Sequence, residues 1–236
     1  MQTERAFCRR EKCFRKYAAE RKKKRHVEEK MKNYTAELLH REDYSVTNWS
    51  GGTTTELAIA PRGSIYAERN FLWRLSSATV DVEESNFTAL PDYNRIIMTL
   101  QGGIRLRHNG GEWISLPEFE THDFDGGDET VSVGKVVDFN LMLRKGKCEG
   151  FVLPLLLKEG EAAALSEQLM KAIPEAEELL LYCPRGVVEI AASDGASWRL
   201  SAGDTLRLSG ELQGQSFTAK AEEAAALVGS AVRSAG

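Results

Sequence analysis

The stretch RIIMTLQGGIRLRHNGGEWISL, residues 95–116, constrains the fold more strongly than any other part of this 236-residue chain. It reads as a strand, a glycine turn, a second strand, an Asn-Gly-Gly turn and a third strand, because apolar residues alternate between the turns. Similar alternating segments occur at TTTELAIAP, FLWRLSSATVDV and VVDFNLMLRKG. Many short strands with few helices predict an all-β chain, folded as a barrel or a double-sheet roll.

The C-terminal part repeats this plan after one helix. Residues 159–178, EGEAAALSEQLMKAIPEAEE, carry apolar residues at helical spacing and predict that helix. Strands are expected again over residues 179–210, followed by a short closing strand near residues 225–228. The order glycine, strand, turn and tryptophan that leads to Trp113 recurs before Trp198, which suggests two similar antiparallel units.

The first 30 residues stand apart in composition. Residues 1–30 hold 12 Lys/Arg and 5 Asp/Glu with few large apolar groups, so they cannot bury a core of their own. A basic arm for nucleic acid is the alternative, but basic runs are commonly solvated segments. We therefore expect a basic extension outside the fold, whose removal before Met31 leaves stability unchanged. The predicted organisation is that extension, a first unit over residues 31–147, and a second unit over residues 148–236 packed on the first, with one short helix between the two.

Composition excludes several classes of protein. Residues 31–236 hold 19 Lys/Arg and 30 Asp/Glu, and such an acidic body is a poor surface for nucleic acid. No segment approaches the roughly 18 apolar residues of a membrane helix, and the N-terminus lacks the apolar core of a secretory signal. The four cysteines have no CxxC spacing, as expected of reduced thiols. We therefore expect a cytoplasmic protein without nucleic-acid or membrane partners.

Strand alternation gathers polar residues on one face of several segments. Arg74 and Ser76 share a face of one segment, and Asp138, Asn140 and Met142 share a face of another. Further charges on predicted strands are Glu56 and Arg95. These faces could meet water, as in many antiparallel sheets, or line a ligand cavity. Glu56, Arg74 and Asp138 could equally form an ion-pair network that only stabilises the fold.

Five ordered segments resemble the signature blocks of one known family. WSGGTTTELAIAP, WRLSSATVD, NFTALPDYNRIIMTLQGGIRL, FDGG and VVDFNLMLRKG are similar, in that order, to blocks of the HutD/Ves family of bacterial cupin-like proteins. The resemblance is strong over residues 44–146 and looser in the second half, and residues 1–30 match nothing in it. It implies a cupin-like (RmlC-like) β-barrel, with two such units in the chain.

The resemblance also implies a function. Members of the family are thought to bind a small anionic metabolite of the histidine pathway, such as urocanate or formylglutamate, and to moderate histidine utilisation or a stress response. No established catalytic activity comes with the family. Positions that match its blocks are Trp49, Gly51, Gly52, Thr54, Glu56, Arg74, Ser76, Tyr93, Arg95, Asp138, Phe139, Asn140 and Met142. From these we predict the ligand-binding residues Trp49, Thr54, Glu56, Arg74, Ser76, Arg95, Asp138, Asn140 and Met142.

No cofactor is expected, because the histidines lack the spacing of a metal-binding cupin. His26, His40, His108 and His122 include no His-x-His pair, and the segment around His122 is interpreted as a polar loop. Two alternatives to a metal-free binding protein stay open. One is a metal-independent isomerase or hydrolase that uses the same cavity, and the other is a scaffold that acts through an exposed apolar patch. A homodimer through an exposed edge of the second unit is compatible with the sequence.

Overall fold

A computed structural model describes residues 34–235, so the predicted extension over residues 1–30 lies outside the described part of the chain. The strands are β1 (Tyr34–Leu39), β2 (Ser45–Trp49), β3 (Gly52–Ala60), β4 (Trp73–Val80), β5 (Glu84–Asn86), β6 (Tyr93–Gln101), β7 (Ile104–His108), β8 (Ile114–Leu116), β9 (Thr121–Asp125), β10 (Thr130–Val133), β11 (Val136–Arg144), β12 (Cys148–Leu157), β13 (Ala162–Ala164), β14 (Glu178–Arg185), β15 (Val187–Ala192), β16 (Ser197–Ser201), β17 (Thr205–Gly210), β18 (Phe217–Ala221) and β19 (Ala225–Ser234). Helix α1 (Leu165–Ala172) separates β13 from β14, and short 3-10 turns occur at Arg41–Asp43 and Tyr66–Glu68. The all-β prediction with one short helix is confirmed, and the closing strand is longer than predicted.

The strands form four antiparallel sheets. A six-stranded sheet has the order β2-β3-β4-β11-β6-β9, and a four-stranded sheet has the order β5-β10-β7-β8. The later strands form a five-stranded sheet, β1-β17-β14-β19-β12, and a second four-stranded sheet, β13-β18-β15-β16. Strand β1 therefore pairs with β17, far along the chain. Within the described residues no sheet closes on itself, and the strands make open sheets of the cupin type.

The glycine pair Gly102–Gly103 moves the chain from one sheet to another. Strand β6 belongs to the six-stranded sheet and β7 to the four-stranded sheet, so the two predicted strands do not pair with each other. Gly102 has a φ of 77°, which a side chain rarely adopts. The next pair, β7 and β8, is the true hairpin of this stretch. The cavity described below lies beside β6, close to the four-stranded sheet.

The six-stranded sheet buries one face against the five-stranded sheet. Trp73, Leu75 and Phe139 from its apolar face pack in one cluster with Leu180 and Val228 from β14 and β19. A separate core in the C-terminal part contains the buried face of α1. The apolar face of β4, β6 and β11 packs in this core. Their polar side chains alternate with the apolar ones and therefore lie on the opposite face of the sheet.

A β-bulge corrects the predicted faces of β3. The register between β3 and β4 shifts between Glu56 and Ala58. Beyond this shift Ala58 lies in the apolar cluster, whereas Ile59 packs in a separate group with Tyr66 on the other side of the sheet. Strict alternation predicts Leu57 and Ile59 on the packed face and Ala58 on the face of Thr54 and Glu56. Leu57 lies in the apolar cluster as predicted, but one extra residue in a strand exchanges the faces of the residues beyond it, so the prediction is wrong from Ala58 onward.

The double glycine explains how β2 turns into β3. Gly52 has a φ of 152°, and a Cβ built there would lie 1.9 Å from the carbonyl oxygen of Thr79. A Cβ on Gly51 would lie 2.2 Å from the ring of Trp49. Only glycine allows both approaches, because it has no Cβ. The pair therefore lets Trp49 fold over the turn at the edge of the cavity.

None of the helices between residues 34 and 235 combines the length and the apolar composition that crossing a membrane requires.

Candidate functional site

A cavity of about 250 Å³ lies on the polar face of the six-stranded sheet. Eight of the nine predicted site residues line it: Trp49, Thr54, Arg74, Ser76, Arg95, Asp138, Asn140 and Met142. The ninth, Glu56, does not line the cavity but bonds to Arg74. The structure thus brings all nine residues into one region, while their role in binding stays a prediction.

The register of three strands brings these residues together. Asn140 on β11 lies opposite Ser76 on β4, and Ser76 lies opposite Glu56 on β3. Met142 on β11 lies between Arg74 on β4 and Arg95 on β6. Residues opposite each other across antiparallel strands share a face, so side chains far apart in sequence meet.

Arg74 is a buried cation with a carboxylate partner. Its Nε donates to Oε2 of Glu56 over 2.7 Å, and its Nη1 donates to Oγ of Ser76 over 3.2 Å. Its guanidinium also lies 4.3 Å from the centre of the Tyr66 ring. The ion pair expected from the sequence between Glu56 and Arg74 is present, and it stabilises one side of the cavity.

Breaking this ion pair is expected to cost stability. The side chain of Arg74 is 6% exposed and that of Glu56 is 20% exposed, so Glu56→Gln leaves a buried cation without its counter-ion. We expect the free energy of unfolding to fall by about 2 kcal/mol, below the usual 3–5 kcal/mol because Gln keeps one hydrogen bond and the site is partly wet. Urea denaturation measures this loss.

Two controls separate this effect from a general one. The double variant Glu56→Gln/Arg74→Met should regain most of the stability, because no unpaired charge remains. Glu222→Gln, which breaks the exposed pair with Arg199, should cause no measurable change. An equal loss in the double and the single variant would contradict a buried ion pair that stabilises the cavity.

Arg95 is a buried cation that forms no ion pair among residues 34–235, although the charge of Asp138 acts on it without a direct contact. Only 7% of it is exposed, and its guanidinium lies 4.8 Å from the ring centre of Phe87 and 5.0 Å from that of Phe124. Its one hydrogen bond in the described part of the chain is a long one, from Nε to Oδ1 of Asn140 over 3.5 Å. Burial lowers the pKa of Arg95 to about 10, so the group still carries its charge at neutral pH.

Asp138 is the second ionisable group that lines the cavity. It is buried, and its Oδ1 accepts a hydrogen bond from the backbone N–H of Ala78 over 3.1 Å. Burial raises the pKa of Asp138 to about 6, although the Ala78 N–H and the nearby cations Arg95 and Arg74 favour the ionised form. The cavity therefore holds a carboxyl group that changes charge close to neutral pH.

The remaining wall comes from residues that the sequence analysis missed. They are Thr47, Tyr66, Ala78, Val80, Ser85, Asn86, Phe87 and Thr88. Tyr66 lies in a 3-10 turn, and Phe87 and Thr88 lie in the loop after β5, so neither segment has the strand period. Three of them, Asn86, Phe87 and Thr88, begin the NFTALPDYNRIIMTLQGGIRL block, and Ala78 and Val80 lie in the WRLSSATVD block, so the family resemblance was the available signal.

Four other family positions contribute to the fold and do not line the cavity: Tyr93, Phe139, Gly51 and Gly52. Tyr93 stacks on Phe71 at 4.3 Å and donates to the carbonyl oxygens of Arg69 and Phe71. Phe139 lies in the apolar core, and Gly51 and Gly52 shape the β2–β3 turn. These positions support the fold that presents the site.

The histidines do not form a metal cluster within residues 34–235, where no group of three or more potential ligands comes together. His122 lies in strand β9 and not in a polar loop, so that interpretation is wrong. Its Nε2 lies 2.9 Å from Nε2 of His108. The described cysteines, Cys148 and Cys183, are buried free thiols, and burial raises the pKa of each.

Solved structures of cupin-like proteins resemble this fold. A conserved protein of unknown function from Pseudomonas aeruginosa PAO1, PA5104, is 27% identical with a TM-score of 0.70, over 84% of this chain and 98% of that chain. HutD from Pseudomonas fluorescens SBW25 is 20% identical with a TM-score of 0.65, over 86% and 100% of the two chains. The bacterial pirin YhhW from Escherichia coli, in complex with nickel(II), is 9% identical with a TM-score of 0.59, over 84% and 98%.

These likenesses confirm the cupin-like fold, and the structures below 25% identity bear on the fold alone. No curated protein matches the sequence. The family model HutD matches residues 41–228, which include every predicted site residue and nearly all of the described fold. The chain belongs to the HutD family.

Proposed function

We propose that this protein binds a small anionic metabolite in the cavity and that this binding moderates histidine utilisation, as a HutD-type governor of the pathway. The observation that carries the proposal is Arg95, a buried cation that forms no ion pair in the described residues. A buried charge is costly unless it is paired, so a site of this kind favours an anion that supplies the missing partner.

The guanidinium of Arg95 suits an oxyanion such as a carboxylate. Its planar fork presents parallel N–H groups that match two oxygens of a carboxylate, and it matches those of a phosphate as well. Phe87 and Phe124 lie near this guanidinium, and Arg95 is buried. In such a desolvated place a charge-assisted hydrogen bond is stronger than in water.

The rest of the lining favours a ligand that also carries an N–H or O–H donor. Asp138 and Asn140 supply oxygen acceptors, and Thr54 and Ser76 supply hydroxyl groups. A volume of about 250 Å³ suits a compact metabolite. Urocanate and formylglutamate each combine a carboxylate with an N–H donor in a compact molecule, and they are the ligands that we propose to test.

A thermal-shift titration with urocanate, formylglutamate, formate and histidine, each with and without EDTA, tests this function. A ligand at a hundredfold excess over its dissociation constant stabilises a protein by about 2.7 kcal/mol, which is a shift of a few degrees for a domain of this size. We expect at least one of urocanate, formylglutamate and formate to cause such a shift. We expect EDTA to leave this shift unchanged. Absence of a shift with all four compounds would contradict the proposed ligand class.

The enzyme alternative depends on Asp138. A buried carboxyl group with a pKa of about 6 has the property that general acid–base catalysis requires. Glu56 is the carboxylate that could pair with Asp138 in general acid–base catalysis, but it bonds to Arg74 and does not line the cavity, which disfavours a two-carboxylate mechanism. If the protein is a metal-independent isomerase or hydrolase, NMR will show conversion of one of these carboxylates, and Asp138→Asn will stop it.

A further inference from the structure

Two histidines from different sheets meet beside the cavity wall. His108 ends β7 in the four-stranded sheet, and His122 lies in β9 of the six-stranded sheet. Their Nε2 atoms are 2.9 Å apart, and the rings are nearly parallel, with an angle of 19° between them. This contact is a hydrogen bond between two imidazoles, and it joins the two sheets.

The neighbouring hydrogen bonds fix the tautomer of each ring. Nδ1 of His108 lies 2.8 Å from Oγ1 of Thr130, and the Thr130 hydroxyl donates to the carbonyl oxygen of Asp128 over 3.3 Å. A hydroxyl has one hydrogen, and with that hydrogen on the Asp128 carbonyl, Nδ1 of His108 donates to Thr130, which is the tautomer that the NMR test below reads. Neutral His108 therefore has a bare Nε2, which accepts from the Nε2–H of His122. The contact holds one proton.

The histidine pair is packed behind Arg95. The ring of Phe124 lies 4.9 Å from that of His108 and 5.9 Å from that of His122, and the Arg95 guanidinium lies 5.0 Å from the same ring. The backbone carbonyl oxygen of Thr130 also accepts a hydrogen bond from the backbone N–H of Phe87, whose ring lies 6.1 Å from that of Phe124 and 4.8 Å from the Arg95 guanidinium. The histidine pair thus supports both aromatic rings that contact the cation.

We propose that His108 and His122 form a proton-operated clasp: one shared proton holds β7 against β9, and a second proton opens the contact and loosens the wall around Arg95. Protonation of His108 at its bare Nε2 would place a second N–H and one positive charge against the Nε2–H of His122, so the contact would lose its acceptor. The last step, from a loosened wall to weaker anion binding, rests on the proposed function, whereas the clasp itself does not.

The charged surroundings favour a clasp that is closed at neutral pH. The groups that act on His108 are His122 and Arg95, which oppose a further positive charge, and Asp128, which favours it. Burial, followed by His122, lowers the pKa of His108 below the usual histidine value. A group with a lowered pKa in the folded state binds its proton more readily after unfolding. Its stabilising contribution is therefore complete above about pH 6.5 and is lost as the pH falls below that value.

The first test reads the tautomers by ¹⁵N NMR of the imidazole nitrogens at pH 7.5. We expect His108 to carry its proton on Nδ1 and His122 to carry its proton on Nε2. Signals are assigned with the variants His108→Gln and His122→Gln. The same tautomer on both rings, or a charged ring at pH 7.5, would overturn the clasp.

The second test compares melting temperatures at pH 7.5 and pH 5.5. In His122→Gln the amide can donate its N–H to neutral His108 or turn its oxygen toward protonated His108, so the melting temperature should fall by about 2 °C less on acidification than that of the wild type. His40→Gln is the control, because Asp204 raises the pKa of His40 and its loss should not protect against acid. Equal acid sensitivity of wild type and His122→Gln would contradict the clasp.

The third test measures hydrogen exchange at Nε of Arg95, through its NMR signal, to detect loosening of the wall around this residue. The intrinsic exchange of this hydrogen with water slows as the pH falls. Faster exchange at pH 5.5 than at pH 7.5 therefore reports opening of the structure around Arg95 and not a change in the intrinsic exchange rate. We expect that acceleration in the wild type and not in His122→Gln. If exchange in the wild type were not faster at pH 5.5, the claim that opening of the clasp loosens the wall around Arg95 would be contradicted. The clasp is read without ligand, so its failure is distinguishable from the failure of the titration proposed above.

Discussion

Arg95→Met is expected to weaken binding of the metabolite carboxylate by about thirtyfold or more. Removing one partner of a buried, hydrogen-bonded charge pair costs about 2–5 kcal/mol, and every 1.4 kcal/mol is a factor of ten in the dissociation constant. The free energy of unfolding should not fall, because Met fills the space between Phe87 and Phe124 without a buried charge. Calorimetric titration measures the affinity, and urea denaturation measures the stability.

Two further variants make this result specific. Arg95→Lys keeps the charge but loses the fork of parallel donors, so its affinity should lie between those of wild type and Arg95→Met. Arg105→Met removes an exposed cation from β7 and should leave affinity unchanged. A dissociation constant for Arg95→Met within threefold of the wild type would show that the anion binds elsewhere or not at all.

Asp138→Asn is expected to stabilise the protein by about 3 kcal/mol at pH 8 and to have little effect at pH 4. Burial raises the pKa of Asp138 from 3.8 to about 6, and one pKa unit corresponds to about 1.4 kcal/mol. With a raised pKa, the folded state prefers the neutral acid. The favourable contribution is present below about pH 4 and is lost as the pH rises through about 6. Urea denaturation of both proteins between pH 4 and pH 8 measures the difference.

Asp125→Asn is the matched control, with the opposite sign. Lys145 and the backbone N–H of Gly127 bond to Asp125 and lower its pKa, so its contribution is present at neutral pH and is lost in acid. This variant should therefore be less stable than the wild type at neutral pH, with the difference shrinking in acid. If Asp138→Asn gave the same pH profile as Asp125→Asn, Asp138 would not be a buried carboxyl group of the cavity.

The two-residue period of β-strands was enough to predict the central polar residues of the cavity. Arg74 and Ser76 on one strand, and Asp138, Asn140 and Met142 on another, share the face that alternation assigns to them. This worked because β4 and β11 pair without a register shift over that region, so the period of two is kept. The family resemblance supplied the cupin-like fold, and the structure confirms it.

The features that the sequence could not reveal depend on tertiary structure. The bulge between Glu56 and Ala58 leaves no mark in an alternating segment, yet it moves Ile59 to the other face. Phe87 lies in a loop without strand period and reaches the cavity because its backbone bonds to Thr130. His108 and His122 meet only because Gly102–Gly103 moves the chain to another sheet. Neither spacing nor composition encodes such meetings.

The acid–base properties of the region connect the two proposals. Burial raises the pKa of Asp138 to about 6 and lowers the pKa of His108, so the cavity and the histidine pair both respond to acid. Protonation of Asp138 removes a negative charge from the cavity, whereas a second proton on the histidine pair loosens its wall. The His122→Gln variant separates the two effects, because it changes the wall and leaves the cavity lining as it is.

A crystal structure of the protein with the best carboxylate from the titration tests the central claim most directly. The account predicts the carboxylate within hydrogen-bond distance of the Arg95 guanidinium, between Phe87 and Asn140, with Glu56 still bonded to Arg74. A carboxylate bound outside the cavity, or one paired with Arg74 after displacing Glu56 while Arg95 stays without a partner, would contradict it.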